Sequence, residues 1–593
     1  MMNEENKYKH IAPEKFKLVQ QDAKISDVKF DTKPVSYMKD AFTRFKKNKS
    51  SVVAAIIIIF LLIFAIFGPI FSKYDSDQID GYYKQSLPKA SAFEWAGWDG
   101  TKVEKNVNQM SYDKFKGIGL EKNSSASNED YAAIKEFIDV KKVSQTVNGK
   151  DIEVNQYKLD VDSYNKVGYI FQNLDPHDYF KLQAYQKQAG VQVFFPLTNY
   201  YQFDVADANV WYEITDKELT AILKQANVNQ PFREEFGTAK VTDEYVPAYM
   251  AVTFKNVANY YGSTIDGDDG TYTYKRYSLS GSKVNVKETK NCYYRYAEKN
   301  QTGYKVRLLY KEFYKFNKTE FNYKNGLDKA AVDAAIAAAQ SEADYQAIID
   351  MFEFDLDTGF YAEYWFGSNE NGKDLFTLLG IGARLSFILA ITISAINLTI
   401  GAIYGAIEGY YGGTADLIME RIAEILSGVP FIVVATLFKL HLADKVGMLG
   451  SLLFAFVLTG WIGMAGRVRM QFYRFKGQEY ILSSRTLGAK DFRIMFKHIF
   501  PNAIGTIITG SILSIPGVVF TESMLSYLGI IDLETSGLTS IGTLLSAGSK
   551  FVDKYEHILL FPTAFIALLM ISFNLFGNGL RDAFNPSLRG SED

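Results

Sequence analysis

Few residues of this 593-residue chain have the type and spacing that bond-making chemistry requires. Asp266, Asp268 and Asp269, in the string IDGDDG, offer carboxylates to a calcium ion. The bidentate glutamate that closes an EF-hand loop is absent, and a solvated turn accounts for them. The five histidines, His10, His177, His441, His498 and His557, have no metal-ligand spacing. The single cysteine, Cys292, can supply neither a second sulfur nor an intrachain disulfide, so we expect no metal site. There is no Gly-x-x-x-x-Gly-Lys-Ser/Thr string to cradle ATP phosphates, and no Gly-x-Ser-x-Gly to present a nucleophile. Charge within apolar runs normally marks function, which singles out Glu420, Arg421, Glu424 and Glu522. The first three lie near a predicted membrane face, where a helix-end ion pair explains them, and Glu522 is similar at the other end of its run. We assign none of them as a proton relay.

What remains is a segment suited to mechanical rather than covalent work. Glu479 to Asn502, EYILSSRTLGAKDFRIMFKHIFPN, is a basic amphipathic interruption between two long apolar runs. Phe492, Met495, Phe496 and Ile499 fall at i, i+3, i+4, i+7, one face of a helix, while Arg493 and Lys497 stand four apart on the other side. Gly488 sits where a first helix would end, since glycine takes the left-handed cap conformation without a Cβ penalty. Pro501 opens the next apolar run, where a missing N–H costs little. The spacing predicts helix, turn, helix, held at a membrane surface.

The elements that must position this segment are membrane spans. The mean hydropathy of -0.08 hides a partition between apolar ends and a polar, tyrosine-rich middle. Ser51 to Phe71 carries no charge and is long enough to cross a bilayer. It is too long, too far from the N-terminus and too poor in small residues at its end for a signal peptide. Arg44, Lys46, Lys47 and Lys49 before it place the N-terminus in the cytoplasm. Further spans are expected at Leu385–Ile407, Asp416–Phe438, Met448–Met464, Asn502–Phe520 and Leu559–Phe576, six in all, with Pro430 kinking the third. Arg467, Arg469, Arg474, Lys476 and Arg485 put the loop after the fourth span inside. Residues 530–558 suggest a partial re-entry.

Between the first two spans lies a soluble α+β insert, residues 72–363, large enough for its own core. Strand-like alternation appears at Tyr272 and Tyr274, Val284 to Val286, Tyr293 to Tyr296 and Lys305 to Tyr314, and one alanine-rich helix is expected from Leu327 to Phe352. By topology the insert lies outside. Its tyrosines suit a carbohydrate- or peptide-facing surface, and equally suit ordinary sheet packing. The net charge of -3 makes no case for nucleic acid, and none is expected.

Several strings together resemble the permease subunits of ABC peptide importers, of the OppC/DppC type. Gly488, Ala489, Asp491, Arg493 and Pro501 match that family's cytoplasmic coupling loop, with Phe500 in place of a leucine. Leu482, Ser483 and Ser484 replace its Glu-Ala-Ala triplet, and Glu479 is the nearest acidic residue. Tyr364 to Asp374 with Gly382 to Ser386, the turn Glu408 to Gly413, Trp461 with Ala465 and Arg469, Ser526 to Gly529, and Asn574 to Asp582 resemble the family's other signatures in order. The resemblance covers the N-terminal span and residues from 364 onward, and none of the insert.

It implies a membrane all-α core of six helices of the ABC importer type. The domains are then a cytoplasmic tail 1–50, helix 1 at 51–71, the extracytoplasmic insert 72–363, a permease core 364–582 with the coupling loop at 470–500, and a cytoplasmic tail 583–593. It implies a multi-pass cell-membrane protein, not itself an enzyme, translocating peptides. The implied partners are a homologous permease subunit forming a heterodimer, two ABC ATPase subunits, an extracytoplasmic peptide-binding protein and the lipid bilayer. No cofactor is bound by this chain; ATP and Mg belong to the ATPase subunits. The implied coupling residues are Glu479, Leu482, Ser483, Ser484, Arg485, Gly488, Ala489, Asp491 and Pro501. Two other classes were weighed. A membrane-anchored extracellular sensor or interaction module has no need of a coupling loop, and a proton-coupled transporter needs mid-span ionisable residues, of which almost none occur.

Overall fold

In the computed structural model the described residues are 37–108, 111–112, 115, 118, 128–147, 150–191, 193–196, 272–277, 283–288, 304–339, 342–533 and 536–584. The expectations for the tails, for Asp266, Asp268 and Asp269, for Cys292 and for Tyr293 to Tyr296 fall outside them.

Among the described residues, five helical stretches are long and apolar enough to cross a membrane: Lys49–Phe71, Leu375–Tyr411, Phe431–Lys476, Asp491–Tyr527 and Glu556–Phe584. A short basic helix, α1 (Tyr37–Lys47), leads into α2 (Lys49–Phe71) across Asn48, whose side chain accepts from the Ser51 N–H and caps α2. Along α2, Ala54, Ile58, Leu61, Ala65 and Gly68 are buried at three- and four-residue intervals, and the large residues between them are exposed. In lipid, where apolar burial drives little, such small-residue stripes let helices approach closely.

The domain between Phe71 and Leu375 is α+β. Strands β1 (Thr101–Asn108), β2 (Ile134–Val147) and β3 (Lys150–Asp162) form an antiparallel sheet in the order β1-β3-β2. Strand β4 (Tyr169–Leu174) is followed by α3 (Pro176–Ala189) and β5 (Phe194–Pro196). Strands β6 (Tyr272–Tyr277) and β7 (Lys283–Glu288) form a two-stranded ladder, and β8 (Tyr304–Leu309) lies between β4 and β5. Two expectations need correction. Only the first half of Lys305 to Tyr314 is strand, because the chain turns at Leu309 into helix α4 (Tyr310–Lys318), which buries Tyr310, Glu312, Tyr314 and Phe316 at alternate positions along its length. The single helix expected over Leu327 to Phe352 is two, α5 (Lys329–Ala338) and α6 (Glu342–Ile349). The extended cap at Ala339 ends α5, and Phe352 already belongs to β10 (Phe352–Asp355), paired with β9 (Glu320–Tyr323). Phe352 and Phe354 alternate inward there, and both join the domain's aromatic core.

The tyrosines pack this core. Tyr83 and Tyr364 are each 1% exposed, and the Tyr83 ring lies 4.8 Å from Tyr310, 5.3 Å from Tyr164 and 5.4 Å from Tyr314. Tyr74, Tyr83 and Tyr364 come from the segments next to α2 and the following span, so the domain is packed onto its own attachment points. Tyr310 donates to Asp80 Oδ1 at 2.7 Å, and Ser368 donates to the Tyr83 carbonyl at 2.5 Å.

From Asp374, which caps it, α7 (Leu375–Tyr411) runs unbroken for 37 residues, roughly 55 Å. Gly412 then reverses the chain into α8 (Gly413–Ser427), an amphipathic helix. The expected kink at Pro430 is a full break, since Pro430 has no N–H to continue the ladder and α9 (Phe431–Gly460) starts afresh after it. Inside α9, Gly447 has φ +78 and ψ 163, and the chain doubles back. The Phe431 and Phe456 rings meet, tilted, at 4.8 Å, whereas an unbroken helix would hold them roughly 37 Å apart. Helix α10 (Ile462–Lys476) follows.

Beyond the coupling segment come α13 (Phe500–Ile512), α14 (Ser514–Tyr527), the nine-residue α15 (Ile541–Ser549) and α16 (Glu556–Phe584), after α11 and α12 described below. Glu522 on α14 is 1% exposed and accepts hydrogen bonds from Ser540 at 2.7 Å, Ser526 at 3.1 Å and Ser386 at 3.2 Å. Ser540 is the N-cap of α15, so this carboxylate fixes the short helix to α7 and α14.

Candidate functional site

The segment Glu479 to Asn502 folds as helix, turn, helix. Helix α11 (Glu479–Thr486) ends at Leu487, and Gly488 follows at φ +78. The Gly488 N–H donates to the Arg485 carbonyl at 3.0 Å and the Ala489 N–H to the Ser484 carbonyl at 3.1 Å, closing the orphan carbonyls of the helix end. Helix α12 starts as Asp491–Arg493 and continues as a π-helical turn, Ile494–Ile499, into α13 with Pro501 in its first turn.

The π turn changes which residues face inward. Phe492, expected on the buried face, is 73% exposed, and Ile494 takes its place at 0% beside Met495 and Ile499. The extra residue in the turn rotates the apolar face by about one position. Together with Ile481, these side chains pack on Ala406 and Tyr410 of α7 and on Val468 and Phe472 of α10. The opposite surface leaves Leu487 at 87%, Leu482 at 48% and Tyr480 at 41% exposed, alongside Phe492.

Tyr410 braces the turn from the end of α7. It donates to Asp491 Oδ1 at 2.6 Å and accepts from Arg485 Nη2 at 3.2 Å. Of the expected residues, Arg485 and Asp491 thus meet on one phenol, Gly488 and Ala489 form the turn, and Pro501 starts α13. Leu482 and Ser483 lie on the exposed face, while the Ser484 hydroxyl bonds back to the Tyr480 carbonyl at 2.8 Å. Glu479 is exposed in the first turn of α11, where a carboxylate complements the helix dipole.

Two supports flank the segment; Glu420 and Arg469 stood out in the sequence one by one, as a helix-end charge and a family match, but not their meeting. The first is a glycine stripe on α7. A Cβ at Gly405 would lie 2.1 Å from the Ala465 carbonyl oxygen, and one at Gly401 or Gly409 would also strike α10. The i, i+4, i+8 spacing of these glycines was the available signal. The second is a charge cluster at the same helix ends. Arg469 on α10 binds Asp416 twice, Nε at 2.6 Å and Nη2 at 2.9 Å, and Glu420 through Nη1 at 2.8 Å and Nη2 at 2.7 Å. Glu408 stands 3.5 Å from Arg469 Nε, and Tyr473 donates to Asp416 Oδ2 at 2.6 Å. The three carboxylates lie close enough to hold a divalent ion, but the guanidinium already fills their centre. Lys476 donates to the Gly409 carbonyl at 3.0 Å, so α7, α8 and α10 are tied together one step before the coupling segment. Arg421 pairs with Glu424 on the exposed side of α8.

A braced, solvent-facing helix-turn-helix thus stands on a bundle of long apolar helices, the build of a multi-pass membrane protein. Known proteins agree. The family described as the binding-protein-dependent transport system inner membrane component matches residues 397–590, and the N-terminal TM domain of oligopeptide transport permease C matches residues 36–88. The Bacillus subtilis oligopeptide transport system permease protein OppC is 43% identical over 227 residues, 38% of this chain and 73% of that protein. The dipeptide permease protein DppC of the same organism is 41% identical over 38% of this chain and 70% of that protein, and the Escherichia coli OppC is 32% identical over 40% and 75%. The chain belongs to the OppC/DppC family of peptide transport permeases.

Proposed function

We propose that this chain is one transmembrane half of an ATP-driven importer that carries peptides across the cell membrane. The observation that carries the reading is the coupling segment: an apolar, exposed tip at Leu487 and Phe492 mounted on a rigid brace at Tyr410. The residues assigned to it are Glu479, Leu482, Ser483, Ser484, Arg485, Gly488, Ala489, Asp491 and Pro501. A separate ATPase subunit binds this tip, with ATP and Mg held on the ATPase and none on this chain. A homologous permease completes the path, two ATPases drive it, and a binding protein delivers peptide. The ATPase acts by binding one state of the transporter better than the other.

The doubling back of α9 at Gly447 supports counting six crossings, the third and fourth being its two halves. The basic flank of α2 and the arginines of α10 support termini and coupling segment on the cytoplasmic side, with the domain of residues 72–363 outside. The test is Leu487→Asp in the reconstituted complex, a change at a fully solvent-facing position. The reading requires loss of ATPase co-purification and of ATP-dependent peptide uptake with the permease still folded. Normal uptake with the ATPase still bound rejects it.

A further inference from the structure

The loop before β1 carries an aromatic tip that nothing in the importer cycle uses. Residues Ser91–Ala96, SAFEWA, form two short 3-10 turns that meet at a kink at Phe93, and their only charged residue is Glu94. Trp95 is 85% exposed and Phe93 48%. The tip is preformed: the Ala90 N–H donates to the Trp98 carbonyl at 2.9 Å, the Gly97 N–H to Glu94 at 3.0 Å, and the Phe93 and Trp98 rings meet edge-on at 5.5 Å.

Its position in the fold says what covers it. Trp98 packs on Phe366 and on Phe561, each at 6.4 Å. Phe561 lies in the second turn of α16, next to Leu560, which is 59% exposed on the apolar flank of that span. Phe366 stacks on Phe561 at 4.2 Å and meets Phe376, in the first turn of α7, at 5.2 Å. The tip therefore stands where the apolar band of the spans ends. Phe71 at the end of α2, 75% exposed, and Trp365, 46% exposed, line one pocket with Phe376, and the Trp365 ring meets Phe376 at 5.1 Å. Aromatic rings with a polar edge settle at this depth of a bilayer.

We propose that Phe93 and Trp95 insert into the interfacial zone of the phospholipid leaflet on the domain's side, as a third attachment beside the links to α2 and α7. The occupant is lipid because the exposed rings continue the lipid-facing surface of the spans and add one charge to it. The closed loop needs little ordering on insertion. Glu94 is the only charge in the turn itself, Glu363 accepts from the Ser91 hydroxyl at its base, and neither draws the rings to an anionic head group, so insertion does not depend on one. This goes beyond the transport reading and rests only on the long helices being spans.

The test places one fluorophore at the tip. Trp95→Cys in a Cys292→Ser background is labelled with NBD within the whole transport complex in nanodiscs. Glu153→Cys, on the far hairpin where the side chain is 73% exposed, is the control. Lipids carrying a quencher just below the head group should dim the label at 95 by roughly twofold and leave 153 unchanged, with aqueous iodide doing the reverse. Equal results with zwitterionic and anionic lipid support the proposal. Iodide quenching of 95 matching that of 153 overturns it. So does shielding of 95 that appears only when the binding protein is added, which makes the tip a protein-docking surface. Where the cysteine variant does not assemble, the Trp95→Phe difference in intrinsic fluorescence reads the same quantity: quenching of that component by brominated lipid supports insertion, and its absence refutes it.

Discussion

Gly488 offers a graded perturbation of the coupling segment. Its φ is +78 and nothing lies within 4 Å of an added Cβ, so a substitution there acts through the backbone and not through a clash. Alanine in this left-handed conformation costs about 1–2 kcal/mol. That reduces the formed turn relative to its alternatives by a factor of about 5–30. Asparagine tolerates the conformation better and costs less. Proline fixes φ near -65° and also removes the N–H that bonds the Arg485 carbonyl at 3.0 Å, for about 3 kcal/mol or more. Gly477, at φ -91 with open space around it, is the matched control for alanine. The assay is ATP-dependent peptide uptake in proteoliposomes, with ATPase recovery measured on the same preparations. The expected order is parent and Gly477→Ala together, then Gly488→Asn, then Gly488→Ala, with Gly488→Pro inactive. Undiminished uptake in Gly488→Pro, or Gly488→Ala equal to Gly477→Ala, refutes the reasoning because the left-handed turn would then be dispensable.

Arg469→Ala leaves three carboxylates facing one another and should destabilise the folded permease by about 2–3 kcal/mol, read as a lower Tm in detergent; adding Glu408→Gln should recover part of the loss. Gly405→Val forces α7 from α10 and should abolish recovery of folded protein, whereas Gly466→Ala, with nothing within 4 Å, should leave the Tm equal or higher. In the domain, a hydrogen bond from Lys329 holds the Asp333 carboxyl below its ordinary range, with a smaller contribution from His177 at 2.7 Å. A depressed carboxylate stabilises the fold above its unfolded value and ceases to as the pH falls through its folded one. The protection factors of the α5 amides, corrected for the intrinsic exchange rate, should therefore fall below about pH 4 in the parent, and less so in Asp333→Asn.

The turn at Gly488 was legible in the sequence because glycine takes the positive φ that ends a helix at less cost than any other residue. The inward face of α12 was not, since a π turn inserts one residue into the period and exchanges Phe492 for Ile494. Periodicity counts residues and is blind to such an insertion. The expected helix from Leu327 to Phe352 failed for a different reason: alanine favours a helix locally, but pairing of Phe352 and Phe354 with β9 is a long-range gain that local pattern does not contain. The brace at Tyr410 and the cluster around Arg469 join residues far apart in the chain. One sequence reveals the charges but not which of them meet.

The glycine stripe of α7 also decides where the molecule can bend. With Gly405 leaving no padding between the two backbones, α7 and α10 cannot slide or tilt against each other without steric collision. They behave as one beam, and α7 within it reaches from the Tyr410 brace to the Asp374 cap beneath the soluble domain. Under the function proposed above, a load on the tip at Leu487 passes along α7 toward its Asp374 end. The helix axes break instead at Gly447 and before Phe431, outside the stretch where α7 and α10 touch, so bending there would leave the pair intact.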